Sequence, residues 1–140
     1  MAQVSRIAGN LGAWTAYTPT WTQGATISKT VAYARYTQIG KLVAVQAHLA
    51  ATSAGTASSI VAVTLPVPAK NFSGSYSVLG DAAFTDSSPY TCYSLIGYAI
   101  DTNQAVFIGD TTAANNFGTV PAITVASGDQ LSWSFTYEAA

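Results

Sequence analysis

The segment from Leu131 to Glu138 places Leu131, Trp133, Phe135 and Tyr137 at every second position, with Ser132, Ser134, Thr136 and Glu138 between them. A strand turns successive side chains to opposite faces, so this order makes one large apolar face and one small polar face, the pattern of a half-buried antiparallel strand. Val43, Val45, Ala47 and Leu49 alternate with Ala44, Gln46 and His48 in the same way. Val61, Val63 and Leu65 repeat the pattern until Pro66, which has no N–H to give a ladder, ends the run. These three segments are the expected core strands.

Weaker strands are expected at 13–22, 30–39, 75–84, 91–100 and 105–110, bounded by clusters of Gly, Pro, Asn and Ser that supply turn geometry. Asp101-Thr102-Asn103-Gln104 reads as a hairpin turn, because Asp and Asn bond locally to the backbone, so 91–100 and 105–110 should pair. The Ala-rich stretches are interrupted by Thr, Ser and Gly and carry no useful helical period. About eight short strands at regular spacing predict an all-β fold, an antiparallel β-sandwich or jelly roll. Residues 13–140 are expected to form that one domain, of a size that buries roughly two-thirds of the surface its unfolded chain exposes. Residues 1–12 precede it as either a loose tail or an N-terminal arm ordered against a neighbour, with Val4, Arg6, Ile7 and Leu11 as the docking residues of an arm.

Only 8% of the 140 residues are charged, against roughly 25% in an ordinary soluble domain. A chain so poor in charge covers its outside with Ser, Thr, Gly, Asn, Gln and Ala, or hides part of it against other subunits. The net charge is −1, and Arg6, Lys29, Arg35, Lys41 and Lys70 are scattered, so no run of phosphates is neutralised and nucleic acid is not an expected partner. Cys92 is the single cysteine, which excludes an intrachain disulfide and reads as a small core or near-core residue. The first dozen residues lack a continuous apolar stretch before a cleavage site, and no window approaches the roughly 20 apolar residues of a membrane span, so neither a secretory signal nor membrane insertion is expected.

Catalytic chemistry finds little to stand on. His48 is the only histidine, it lies on the polar face of a strand beside Gln46, and no G-x-S-x-G elbow marks a nucleophile for it. Asp81 and Asp86 flank a strand end and the following loop, where they could approach each other as the two acids of a glycoside hydrolase, although Asp at loop edges more often shapes turns. No metal or cofactor motif is present, and Asn71-Phe72-Ser73 matches a glycosylation sequon in a chain with no expected export signal. No cofactor is therefore expected, and the protein is not expected to be an enzyme. Aromatic residues are the remaining candidates: Trp14, Tyr17 and Trp21 early, Tyr90, Tyr93 and Tyr98 later, and Phe117 in a Gly- and Asn-rich loop. Trp133 and Phe135 are expected in the core, whereas Tyr90 and Phe117, beside turn residues, are candidate surface-binding aromatics.

Three stretches carry a resemblance: Ala13-Trp14-Thr15-Ala16-Tyr17-Thr18-Pro19-Thr20-Trp21-Thr22, Ala34-Arg35-Tyr36-Thr37-Gln38-Ile39-Gly40-Lys41-Leu42-Val43, and Ser127 to Glu138. From Ala13 onward the chain resembles the small β-jelly-roll modules of tailed-phage virion proteins, which form tail-fibre tips and parts of minor tail proteins. The resemblance implies a non-enzymatic structural protein on the virion surface, assembled in the host cytoplasm, trimeric, and in contact with other capsid or tail proteins. In such a trimer Trp14 and Trp21 are candidates for packing at the base. Tail-fibre tips usually end a long chain, and here about a dozen residues precede the module, so a capsid decoration protein docked through its arm is the first expectation. A tail-tip adhesin recognising host surface glycan is the second, and a polysaccharide depolymerase using Asp81 or Asp86 the third.

Overall fold

The computed structural model describes residues 12–70, 77–109 and 116–140, and no helix occurs among them. Its strands are β1 (Thr15–Ala16), β2 (Trp21–Gln23), β3 (Ala25–Thr26), β4 (Lys29–Ile39), β5 (Leu42–Ala51), β6 (Val61–Thr64), β7 (Ser77–Asp86), β8 (Thr91–Ala99), β9 (Gln104–Ile108) and β10 (Gln130–Glu138). They form one continuous antiparallel sheet in the order β1-β4-β5-β10-β7-β8-β9-β6-β2-β3. The strand with the cleanest alternation, β10, lies in the interior of that sheet between β5 and β7.

Register explains why β10 packs well there. Trp133 is opposite Ala47 on β5 and Ala82 on β7, and Phe135 is opposite Val45 and Gly80, so each large ring is flanked by small neighbours. Such matching of large to small lets rings fill space at interior packing density without strain. Strands β7, β8 and β9 follow one another as hairpins, and β10 returns beside β7, which is a Greek key in its 4-1-2-3 order. The β8–β9 turn is the one the sequence predicts: Asp101 Oδ1 accepts hydrogen bonds from the backbone N–H of Asn103 at 2.7 Å and of Gln104 at 2.8 Å.

The sheet curls until its two ends face each other. Tyr17 N–H donates to Ala34 O on β4, at one end of the strand order, while Thr64 N–H on β6, near the other end, donates to Thr20 O. Only three residue steps separate Tyr17 from Thr20, and an extended chain covers at most about 10 Å in that length, which is the spacing of two packed sheet layers. The expected single strand over 13–22 is therefore two short strands on opposite layers, joined across the end of the core around the buried Pro19. Trp21, Val61, Val63 and Phe107 from one layer meet Val45, Leu49, Leu131 and Phe135 from the other in one apolar cluster. The fold is all-β, antiparallel and sandwich-like, as the alternation predicts.

Among the described residues the polar side chains of Gln23 and Asp129 are buried in this frame, and both are hydrogen-bonded. Gln23 donates through Nε2 to Ser59 O at 3.1 Å and to Ile123 O at 2.6 Å, and accepts at Oε1 from Val125 N–H at 2.8 Å. Asp129 accepts from Ser87 N–H and Ser87 Oγ at one oxygen and from Ala126 N–H at the other, tying the β7–β8 turn to the start of β10. Cys92, expected in or near the core, is exposed: it lies on the outer face of β8, opposite Thr85, because the neighbouring Tyr93 takes the inward position.

Tyr137 closes the lower end of the core, with its hydroxyl donating to Val67 O at 2.7 Å. Burial pushes its pKa up to about 12. The unfolded chain ionises this phenol near pH 10 while the folded chain keeps the proton, so stability that is complete below about pH 10 is lost as pH rises toward about 12. Tyr17 is shifted in the same direction by its own burial and adds to the loss. Tyr137→Phe is expected to cost about 1 kcal/mol near neutral pH through the lost hydrogen bond. It should also flatten the alkaline decline, both effects being read from urea denaturation curves across that range.

Candidate functional site

The outer face of β4, β5, β10 and β7 is where local backbone irregularity and unusual side chains coincide. On β4 the pairing runs Val31↔Leu49 and then Tyr33↔His48, so Ala32 is an extra residue, a β-bulge. Without it Tyr33 would share the inward face of Val31 and Leu49; with it Tyr33 turns outward beside His48. On β7 the pairing runs Val78↔Tyr98 and then Gly80↔Gly97, leaving Leu79 as the extra residue. That second bulge sends Asp81 and Ala83 outward while Ala82 and Phe84 go into the core.

Two cross-strand rows result. One runs Arg35–Gln46–Ser134–Asp81 and the other Tyr33–His48–Ser132–Ala83, across β4, β5, β10 and β7 in turn. The rows enclose a shallow, open groove of about 340 Å³, lined by Tyr33, Gln46, Asp81, Ala83, Ser132 and Ser134. Small hydroxyl side chains on β10 form the floor, and the larger groups of β4, β5 and β7 form the walls. The Arg35 guanidinium stands 4.7 Å from the Trp14 ring and 5.6 Å from the Tyr33 ring, and its Nη2 donates to Gln46 Oε1 at 3.1 Å. Tyr33 in turn stacks on His48 at 6.1 Å with 27° between the planes. Trp14, Arg35, Tyr33 and His48 thus form a continuous stacked wall, in which Trp14 and Tyr33 keep 44% and 47% of their surface exposed. Asp81 lies three strands away from Arg35, about 14 Å at the usual interstrand spacing.

The chemistry open to this face is stacking and hydrogen bonding. A hydrolytic triad needs a carboxylate on the far side of its histidine, and what flanks His48 there is the Tyr33 ring. Asp81 and Asp86, expected to approach each other around a loop, lie on one strand five residues apart, which is about 16 Å, and face opposite sides of the sheet. As a pair they cannot straddle one glycosidic bond. Asp86 is occupied in its turn, accepting from Ser88 N–H at 2.9 Å. Among the described residues, no group of three or more His, Cys, Asp or Glu side chains is placed to hold a metal ion. No family model, curated protein or solved structure matches this chain.

The residues singled out from sequence separate clearly. Tyr90 sits at the tip of the β7–β8 hairpin in a left-handed conformation with φ 71° and is 83% exposed. Phe117, the other candidate surface aromatic, is fully buried, with its ring 5.1 Å from Phe84 and 5.6 Å from Tyr93. Its loop folds inward because Phe117 N–H donates to Phe107 O and Val61 N–H donates to Phe117 O, clipping the segment to β9 and β6. Trp21, a candidate for packing between subunits, belongs to the core of its own subunit, whereas Trp14 is exposed beside Arg35. The arm residues Val4, Arg6, Ile7 and Leu11 and the Asn71 sequon lie outside the described residues. Sequence reasoning missed Tyr33, Arg35, Gln46 and Asp81 as one site, and Gly80 within a strand was the single local sign of a bulge.

Proposed function

We propose that this chain is a non-enzymatic structural protein displayed on the outside of a tailed-phage particle, acting by binding. The observation that carries this reading is the outer face of β4, β5, β10 and β7: a backbone fixed by interior ladders presents aromatic, amide and hydroxyl groups to solvent. That face supports attachment to a host surface glycan, and with it the tail-tip adhesin reading over the decoration reading.

A separate observation favours decoration. Val78, 69% exposed, lies with Ile96 and Ile100 on the outer side of β7 and β8, next to the buried outer cluster of Ala62, Tyr98 and Val106. Contact with a neighbouring subunit or capsid protein would remove that strip from water. A homotrimer serves either role, since symmetric copies can cover equivalent strips. Immunogold labelling of purified particles with serum against the recombinant chain tests the proposal. Label at the tail end supports adhesion, label over the head supports decoration, and particles without label overturn display on the virion.

A further inference from the structure

We propose that the groove across β4, β5, β10 and β7 is a binding site for an uncharged oligosaccharide about two or three rings long. The inference deepens the display reading above, and rests on it for its biological setting. Both walls are turned toward the groove by β-bulges, at Ala32 and at Leu79, and bulges recur where a strand must re-aim a side chain at a ligand. Here two such irregularities, on strands that do not pair with each other, re-aim side chains toward one face.

The chemistry of the lining selects the ligand. Tyr33 offers exposed ring surface to the apolar C–H face of a sugar, while Gln46, Ser132, Ser134 and Asp81 supply donors and acceptors for its hydroxyls. The volume of about 340 Å³ lies at the small end of ligand sites, and the roughly 14 Å from the β4 wall at Tyr33 to the β7 wall at Asp81 suits a short chain of rings better than a single one. Charge argues for neutrality. The Arg35 guanidinium beside the groove is already stacked on two rings and held by Gln46, and the Asp81 carboxylate lines the opposite wall, so an anionic ligand would gain little at one end and be repelled at the other. A peptide adding as a strand would join the outer edge of β4, which β1 pairs at Arg35 and Tyr36, and not the groove, whose other strands β5, β10 and β7 are paired on both sides. An apolar ligand would desolvate the hydroxyl floor.

The test is a titration of the ¹⁵N-labelled full chain with maltotriose, mannotriose, galactotriose and tri-N-acetylchitotriose, with sialyllactose and inorganic phosphate as anionic probes. At least one neutral trisaccharide is expected to shift the backbone amides of Tyr33, Ser132 and Ser134. Tyr33→Ala should weaken that binding about tenfold. Asp81→Asn and Gln46→Ala should also weaken it, with far-ultraviolet circular dichroism unchanged because all three side chains lie on the surface. The assignment is overturned if no neutral trisaccharide moves these signals at tens of millimolar, if an anionic probe binds more tightly, or if the shifts map to the Tyr90 hairpin instead. Gold label on particles without groove shifts would remove the groove alone; groove shifts without label would remove virion display alone.

Discussion

Gln23→Ala is expected to destabilise the fold by about 4 kcal/mol, a loss out of proportion to one polar side chain. The substitution strips partners from three groups at once, Ser59 O, Ile123 O and Val125 N–H, and each orphaned buried group costs about 1–3 kcal/mol. Gln23 sits at the end of β2 and holds two segments that are distant in sequence, the stretch before β6 and the stretch before β10, so its removal loosens both. Gln23→Glu sharpens the test. It points a carboxylate oxygen at the two carbonyls that now accept from Nε2, so the variant should fare worse at neutral pH than near pH 4, where the acid takes up a proton. Urea denaturation at both pH values reads the difference, and a loss below about 1 kcal/mol for Gln23→Ala would mean that water replaces the side chain without penalty.

The second large effect is expected at Gly97. This glycine is paired with Gly80 across β7 and β8, and a Cβ built on it would overlap the ring of Phe135, which is itself almost fully buried. The ring has no free volume to retreat into, because it also packs against Phe107 at 6.2 Å and Trp133 at 6.1 Å. Gly97→Ala should therefore cost about 3 kcal/mol, at the upper end of overpacking penalties. Combining it with Phe135→Leu makes room for the added methyl, so the double variant should be more stable than the sum of the two single losses predicts, by about 1 kcal/mol or more. Strict additivity in thermal or urea unfolding would show that ring and glycine do not compete for the same space.

These two sites differ in how far they could be read in advance. Phe135 was legible as core from its place in the alternation, yet nothing local shows that its ring lies over a glycine on a strand it is not bonded to. Gln23 lies two residues after Trp21 and so shares its inward face on β2, but nothing local shows which groups would satisfy a buried amide there. It is buried because chain reversals around 53–60 and 116–125 close over it and leave backbone groups that only a side-chain amide can satisfy. Phe117 makes the converse point: Gly and Asn around it signal a loop, and a loop that folds over the open end of a sandwich buries its one large ring.

Alternation determined the fold class, the inward faces of β5, β6 and β10 and the polar outer placement of Gln46, His48, Ser132 and Ser134, and local turn chemistry determined the hairpin at Asp101. The strand faces follow from a local rule, that side chains alternate about the strand, combined with the free energy of removing large apolar groups from water. Tertiary structure alone decided which way Tyr33 and Asp81 point, and hence whether a groove exists. A bulge inserts one residue and inverts the face of everything beyond it, and the choice between a regular and a bulged strand is made by the register of partners far away in sequence. The residues of the candidate site were visible one by one; their meeting on one face is a consequence of long-range pairing.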